Sequence, residues 1–261
     1  MSATKALLAG IIDYAGLFPP AALAVTTALD NYDFYQSHPY AWMLARFVLP
    51  LQLLDEIDAS DVEAPRRVAL VVKGDQVELP TLPPQVESVE VAGTLAWPPA
   101  CRVFQEIDWR NDFEALMPES GGVKLRTGGL TPDTVPPPDV LVRFIRAATQ
   151  RRLDIKFTAG LHVPVPNDDP ATGARMHGFL NVFAVALALY RGDTNQAALT
   201  ALLSGASYSD FRFDRTHFRA GPLVFAEDEI AALRKHVISF GSCSFLEPVE
   251  HLESHGLLQY V

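Results

Sequence analysis

Eight short apolar runs, each closed by a turn signal, constrain the fold of this chain most strongly. They are residues 10–14, 44–49, 67–72, 86–92, 102–107, 122–126, 154–158 and 236–240. Gly16 with Pro19-Pro20 ends the first, Pro50 the second, Gly128-Gly129 the sixth, Gly160 the seventh and Gly241 the eighth. Helical patterns separate several of them. One runs from about Thr27, with Thr27 and Asp30 as a capping-box-like start, to a stop before Pro39. Another follows Pro136-Pro137-Pro138, where Val140, Leu141, Phe144, Ile145 and Ala148 recur at helical spacing. Strands alternating with helices predict a parallel sheet with the helices outside. Eight strands close such a sheet without leaving an edge, and the chain's 261 residues suit a barrel that typically needs ~250. The expectation is an α/β fold: one (β/α)8 TIM-type barrel over residues 1–261, with no internal repeat and no linker.

Two segments depart from a regular barrel. Residues 77–85 are short and rich in proline, which argues against a full helix between strands three and four. Residues 163–235 form a long insertion between strands seven and eight. It should hold a buried helix over 176–190, a second helix over 196–203, and a stretch over 208–225 in which Phe211, Phe213, Phe218 and Phe225 stand among Arg212, Asp214, Arg215 and Arg219. Insertions this long are commonly lids or binding loops. The aromatic stretch is read as a lid over the site or a homodimer contact.

The formal net charge of -10 argues against nucleic acid, which calls for a basic stripe, but leaves room for a small anionic substrate held by a few buried cations. Two cysteines, Cys101 and Cys243, are too few for a disulfide framework and suit a reducing compartment. The first ten residues lack the pattern of a signal peptide. The longest apolar stretch, 178–190, contains Asn181 and is shorter than the ~20 residues of a membrane span. A cytoplasmic protein that does not engage membranes is expected.

In a barrel of this kind the chemistry sits at the C-terminal ends of the strands. The polar residues there are Asp13 and Tyr14, Lys73, Glu87 or Glu90, Glu106, Lys124 and Arg126, Lys156, Thr158 and His162, and Ser242 and Ser244. Lys124 and Lys156 stand out, because each interrupts an otherwise apolar strand, where a charge is costly unless used or paired. The period of two puts Lys124 with Arg126, and Lys156 with Thr158. On neighbouring strands the two ammonium groups would approach and lower one another's pKa. A lysine neutral near pH 7 forms Schiff bases with carbonyl compounds. The competing reading makes each lysine half of a structural ion pair with Glu106 or Glu90. Arg126 suits a carboxylate or phosphate, or else a salt bridge with a nearby acid. Ser242 and Ser244 either donate to an anion or cap the helix expected over 246–253. Asp13 is either an acid/base or a turn carboxylate. His162 is a candidate base or substrate contact. A metal reading would pair it with His177, but no metal-ligand spacing supports this. His217 reads as surface, and Cys243 as a small buried residue rather than a reactive thiol.

Several stretches together carry a resemblance. Ile12-Asp13-Tyr14-Ala15-Gly16-Leu17 with Pro19, Phe104-Gln105-Glu106, Val123-Lys124-Leu125-Arg126-Thr127-Gly128, Ile155-Lys156 through Ala159-Gly160, and Phe240-Gly241-Ser242-Cys243-Ser244 occur in barrel order. In these the chain resembles the class I aldolase superfamily, and most of all its 2-deoxyribose-5-phosphate aldolases. The resemblance implies a Schiff-base lysine at Lys124, a perturbing lysine at Lys156, a carboxylate at Glu106, and an anion-binding turn around Gly241, Ser242 and Ser244. It implies no cofactor and no metal. Arg126 stands where that family has a small hydroxyl residue, Ala159 replaces a glycine of the phosphate-binding turn, and the strand-four aspartate is matched only by Glu87 or Glu90. The expected function is therefore an aldolase-like lyase acting through an imine on another small anionic carbonyl compound. Its alternatives are an imine-independent or metal-assisted barrel enzyme using Asp13 and Glu106, and a non-catalytic metabolite-binding barrel.

Overall fold

The computed structural model describes residues 1–56 and 66–259. Seven parallel strands follow in chain order: β1 (Ile12–Tyr14), β2 (Leu44–Pro50), β3 (Val68–Val77), β4 (Val86–Leu95), β5 (Arg102–Glu106), β6 (Gly122–Arg126) and β7 (Asp154–Thr158). Next come β8 (Asn167–Asp169) and β9 (Ala174–Met176), which pair as a hairpin, and β10 (Phe211–Phe213), β11 (His217–Ala220) and β12 (Leu223–Ala226), which form a small antiparallel sheet. β13 (Val237–Ser242) is the eighth barrel strand, and β1 closes the ring by pairing with both β13 and β2. The closed parallel barrel anticipated from the sequence is present.

The helices are α1 (Ala3–Leu8), α2 (Val25–Gln36), α3 (Phe113–Leu116), α4 (Pro138–Gln150), α5 (Phe179–Arg191), α6 (Gln196–Gly205), α7 (Glu227–Leu233) and α8 (Leu246–Ser254). α4 begins with proline at its first position, where no intrahelical N–H bond is lost, and buries Leu141, Phe144, Ile145 and Ala148. α5 is buried along nearly its whole length. It ends at Gly192, whose φ of +105° suits glycine and lets its N–H reach the Ala188 carbonyl. Asn181, the polar residue in that apolar helix, donates from Nδ2 to the Leu202 carbonyl at 2.7 Å and ties α5 to α6. No described helix is long and apolar enough to cross a membrane.

Several boundaries differ from the sequence reading. α2 starts at Val25 with no side-chain cap, so Thr27 and Asp30 are not its start signal. α5 starts at Phe179, because Met176 is committed to the β8–β9 hairpin. β13 runs to Ser242, so Gly241 and Ser242 lie in the strand rather than in the turn after it. β3 and β4 continue to Val77 and Leu95 as a paired ribbon. There Gly93 passes so close to Gly74 that a Cβ on it would lie 2.0 Å from the Gly74 carbonyl oxygen. The chain passes from Val77 to Val86 without a helix, as the prolines suggested.

The larger correction concerns the aromatic stretch. Phe211, Phe213, Phe218 and Phe225 are buried, with Phe218 stacked against the other three. The sheet they form packs on α1, α5 and α7. α1 and α7 lead into β1 and β13, so this sheet lies towards the N-terminal end of the barrel and is not a lid over the other end. Apolar burial explains this: four phenylalanines are better satisfied against helix faces than over a polar mouth. The part of the insertion at the mouth is the β8–β9 hairpin, where Met176 meets Gly128 and Gly160.

Candidate active site

Strand periodicity builds the site. On β6, Val123 and Leu125 pack into the hydrophobic core and turn Lys124 inward; on β7, Ile155 and Phe157 do the same for Lys156. The two lysines are direct neighbours in register, and Glu106 on β5 is the neighbour of Lys124 on the other side.

Inside the barrel these groups form a chain of alternating charge. Arg46 on β2 approaches Asp13 at 3.4 Å, and Asp13 accepts from Lys156 at 2.8 Å. Lys156 donates to Glu90 Oε1 at 2.5 Å, the other Glu90 oxygen accepts from Lys124 at 3.0 Å, and Lys124 reaches Glu106 at 2.8 Å. Three cations meet three carboxylates. Lys156, Glu90 and Asp13 are fully buried and Lys124 nearly so, whereas the Glu106 side chain keeps 21% of its surface exposed. The chain thus opens towards solvent at Glu106. Ser239 on β13 donates to Asp13, and the Lys156 ammonium lies 5.3 Å from the centre of the Phe104 ring.

These contacts decide the ionisation. Burial alone would raise the Glu90 pKa, but Lys156 and Lys124 together hold it down to about 2. Burial alone would lower the Lys124 pKa, but Glu90 and Glu106 outweigh it and raise it. The expectation that Lys156 makes Lys124 neutral is therefore overturned for the resting protein. The repulsion between the ammonium groups is offset by the carboxylate placed between them.

The structure also settles which strand-four glutamate faces the site. Glu90 does; Glu87 lies at the start of β4 and pairs with Arg67 and Arg46. Arg126 and Thr158 are neighbours one step beyond the lysines. Arg126 is exposed and forms no ion pair with a described residue, and Thr158 Oγ1 is buried without a hydrogen-bond partner there. Arg126 is open to a ligand, whereas Thr158 Oγ1 is enclosed beside it. Ala159, where the resemblance calls for glycine, holds a left-handed φ of +62°, so the turn keeps a glycine-like path. Gly241 lies beside Thr158 in register. Ser242 Oγ accepts from the Ser244 N–H at 3.3 Å, and Ser244 Oγ accepts from the Glu247 N–H at 3.1 Å, which is the capping alternative.

Tyr14 is packed among Tyr35 and Phe47, and burial raises its pKa. His177 hydrogen-bonds the Pro136 carbonyl and is kept from protonation by burial. His162 is engaged with Glu247, so the two histidines serve different partners. No three described His, Cys, Asp or Glu residues are grouped to hold a metal ion. Sequence reasoning missed Arg46, Ser239 and Glu247. Arg46 carried the same signal as the lysines, a charge inside the apolar run Leu44–Pro50; the other two carried none.

Comparison of this chain with known protein families, with curated proteins and with solved structures finds no match. The fold nonetheless defines a class, since closed parallel barrels of this type are a common scaffold for enzymes.

Proposed function

We propose that this barrel binds a small anionic carbonyl compound, forms an iminium with it at Lys124, and uses that iminium to make or break a carbon–carbon bond. The observation that carries this reading is the placing of Lys124 Nζ between a fully buried Glu90, which stays ionised, and a partly exposed Glu106 2.8 Å away. An iminium carries the same positive charge as the ammonium it replaces. A site that already compensates one compensates the other without rearrangement.

Glu106 takes the Lys124 proton, and the freed amine attacks the carbonyl carbon. The carbinolamine hydroxyl leaves as water with the proton returned by Glu106. The electron pair of the breaking carbon–carbon bond then moves into the iminium to give an enamine, while the hydroxyl on the departing carbon gives its proton to Glu106 and becomes a carbonyl. Lys156 fixes Glu90 in place, and Arg126 holds the anionic group of the substrate. Glu90 also stands where the resemblance to class I aldolases calls for a strand-four carboxylate.

A second reading has its own support in the raised pKa of Lys124. There the ammonium never gives up its proton and only polarises a carbonyl or binds an anion. Borohydride separates the two. Incubation with small aldehydes, ketones and 2-keto acids plus borohydride, followed by intact-mass analysis, is expected to leave a reduced adduct that maps to Lys124 and is absent from Lys124→Ala. Turnover of a carbonyl substrate with no such adduct overturns the imine reading in favour of the second.

A further inference from the structure

Beyond the lysines, at the same end of the barrel, lies a second reactive arrangement that the proposed function does not use. His162 follows β7 and Cys243 follows β13 directly. Cys243 Sγ lies 3.9 Å from His162 Nε2, and the opposite ring nitrogen, Nδ1, lies 3.0 Å from Glu247 Oε2. A sulfur on one nitrogen of an imidazole and a carboxylate on the other is the order in which a nucleophile, a base and an orienting acid cooperate. Ser242 Oγ lies 3.2 Å from the same Nδ1 and steadies the ring. Cys243 is half-buried, and the side chains of His162 and Glu247 keep 21% and 45% of their surface exposed, so small molecules have access.

We infer that Cys243, His162 and Glu247 form a second covalent site, a cysteine nucleophile that adds to small α,β-unsaturated carbonyl compounds. In the addition, Sγ bonds to the β-carbon of the electrophile. The π pair of the C=C bond shifts towards the carbonyl, and the α-carbon takes the proton that the thiol gave to His162. No oxidant, leaving group or cofactor is needed. Burial works against a charged His162, but Cys243 and Glu247 hold it protonated, with its pKa pushed up to about 9. An imidazole within reach of a sulfur, 3.9 Å here, is the arrangement that activates a cysteine nucleophile. The other groups that bear on the cluster are His251 on α8, which acts through Glu247, Asp169 on β8, which acts on both Glu247 and His162, and the phenols of Tyr14 and Tyr35. Burial keeps both phenols neutral, that of Tyr35 up to about 12.

Cys101 supplies an internal control. It is also half-buried, but burial pushes its thiol pKa up and no imidazole among the described residues bonds to it. The site uses neither lysine and stands whether or not Lys124 forms imines. The test is the rate of adduct formation with but-3-en-2-one near neutral pH, followed by intact mass and peptide mapping of both cysteines. Cys243 is expected to react at least about tenfold faster than Cys101, and His162→Gln and Glu247→Gln to slow Cys243 alone. Cys243→Ser should remove the fast adduct. Equal rates at the two cysteines overturn the inference, and so does a Cys243 rate unchanged in both variants. Faster reaction of Cys101 in His162→Gln would reveal a disturbed fold, and Glu247→Gln, altered at a more exposed position, then decides alone.

Discussion

Lys156 and Arg234 are both cations drawn towards the barrel, one near its C-terminal mouth and one at its N-terminal end, and they are compensated in opposite ways. Lys156 is enclosed by the carboxylates of Asp13 and Glu90. Arg234 forms no ion pair with a described residue, and Asp13 acts on it only at longer range. Its guanidinium donates to the carbonyls of Leu7, Ala9, Val237 and Ile238 and lies 5.4 Å from the Phe183 ring centre. Carbonyl oxygens do not titrate, so the Arg234 end is a fixed clamp between α1 and β13. Carboxylates exchange protons, so the Lys156 end is a chain along which charge can be redistributed. The fold places its permanent lock where the strands begin and its adjustable charges where they end.

Removing Glu90 should test the mouth most severely. Glu90→Ala leaves Lys124 with Glu106 alone and Lys156 with Asp13 alone and opens a hole between them, and a loss of about 3 kcal/mol is expected in chemical denaturation. Glu90→Gln keeps the shape and removes the charge. It should lower the Lys124 pKa, so that borohydride trapping proceeds at lower pH than in the wild type. A trapping profile that does not move would show that Glu90 does not set the charge of Lys124. The sign of the pH effect follows from the depressed Glu90 pKa. Its stabilising share is complete above the ordinary carboxylate value of 4.5 and is lost as pH falls through about 2. The stability gap between wild type and Glu90→Gln should therefore narrow across that window.

A smaller effect is expected at the other end. Arg234→Met removes the donors to four carbonyls and should cost about 2 kcal/mol. Because those acceptors do not titrate, the loss should be nearly the same at mildly acidic and neutral pH. A loss that varied with pH as that of Glu90→Gln does would erase the distinction between the two ends.

The smallest effect belongs to the rim. Glu247→Gln should bring the His162 pKa down from about 9 towards its ordinary 6.5, as read by NMR titration of the imidazole. A raised histidine pKa stabilises fully below the ordinary value and loses that contribution as pH rises through the folded one. With Glu247 half exposed, the change in stability should stay under about 1 kcal/mol. An unmoved His162 would mean that the carboxylate does not orient the ring.

How much of this was legible beforehand differs by feature. Lys124 and Lys156 could be singled out because a charge at period two inside an apolar strand is costly, and the cost is a local property of the sequence. The order of the strands and the absence of a helix between Val77 and Val86 were local as well, set by turn residues and prolines. The choice between Glu87 and Glu90 was left open although period two separates them: Val89 and Val91 pack into the core and turn Glu90 inward, as their counterparts do for the two lysines.

By itself, then, the sequence determined the eight-strand alternation, the end of the barrel that carries the chemistry, and the two lysines in it. Only the tertiary structure decided that Glu90 would bridge those lysines and hold Lys124 protonated. It alone sent the phenylalanine-rich segment to the N-terminal end, and it alone brought Cys243, His162 and Glu247 together from two loops and a helix. The physical reason is the range of the forces. Periodicity and turn chemistry act over a few neighbouring residues. The charge on a buried lysine depends on every group within a few ångströms, and here those groups come from strands far apart in the chain.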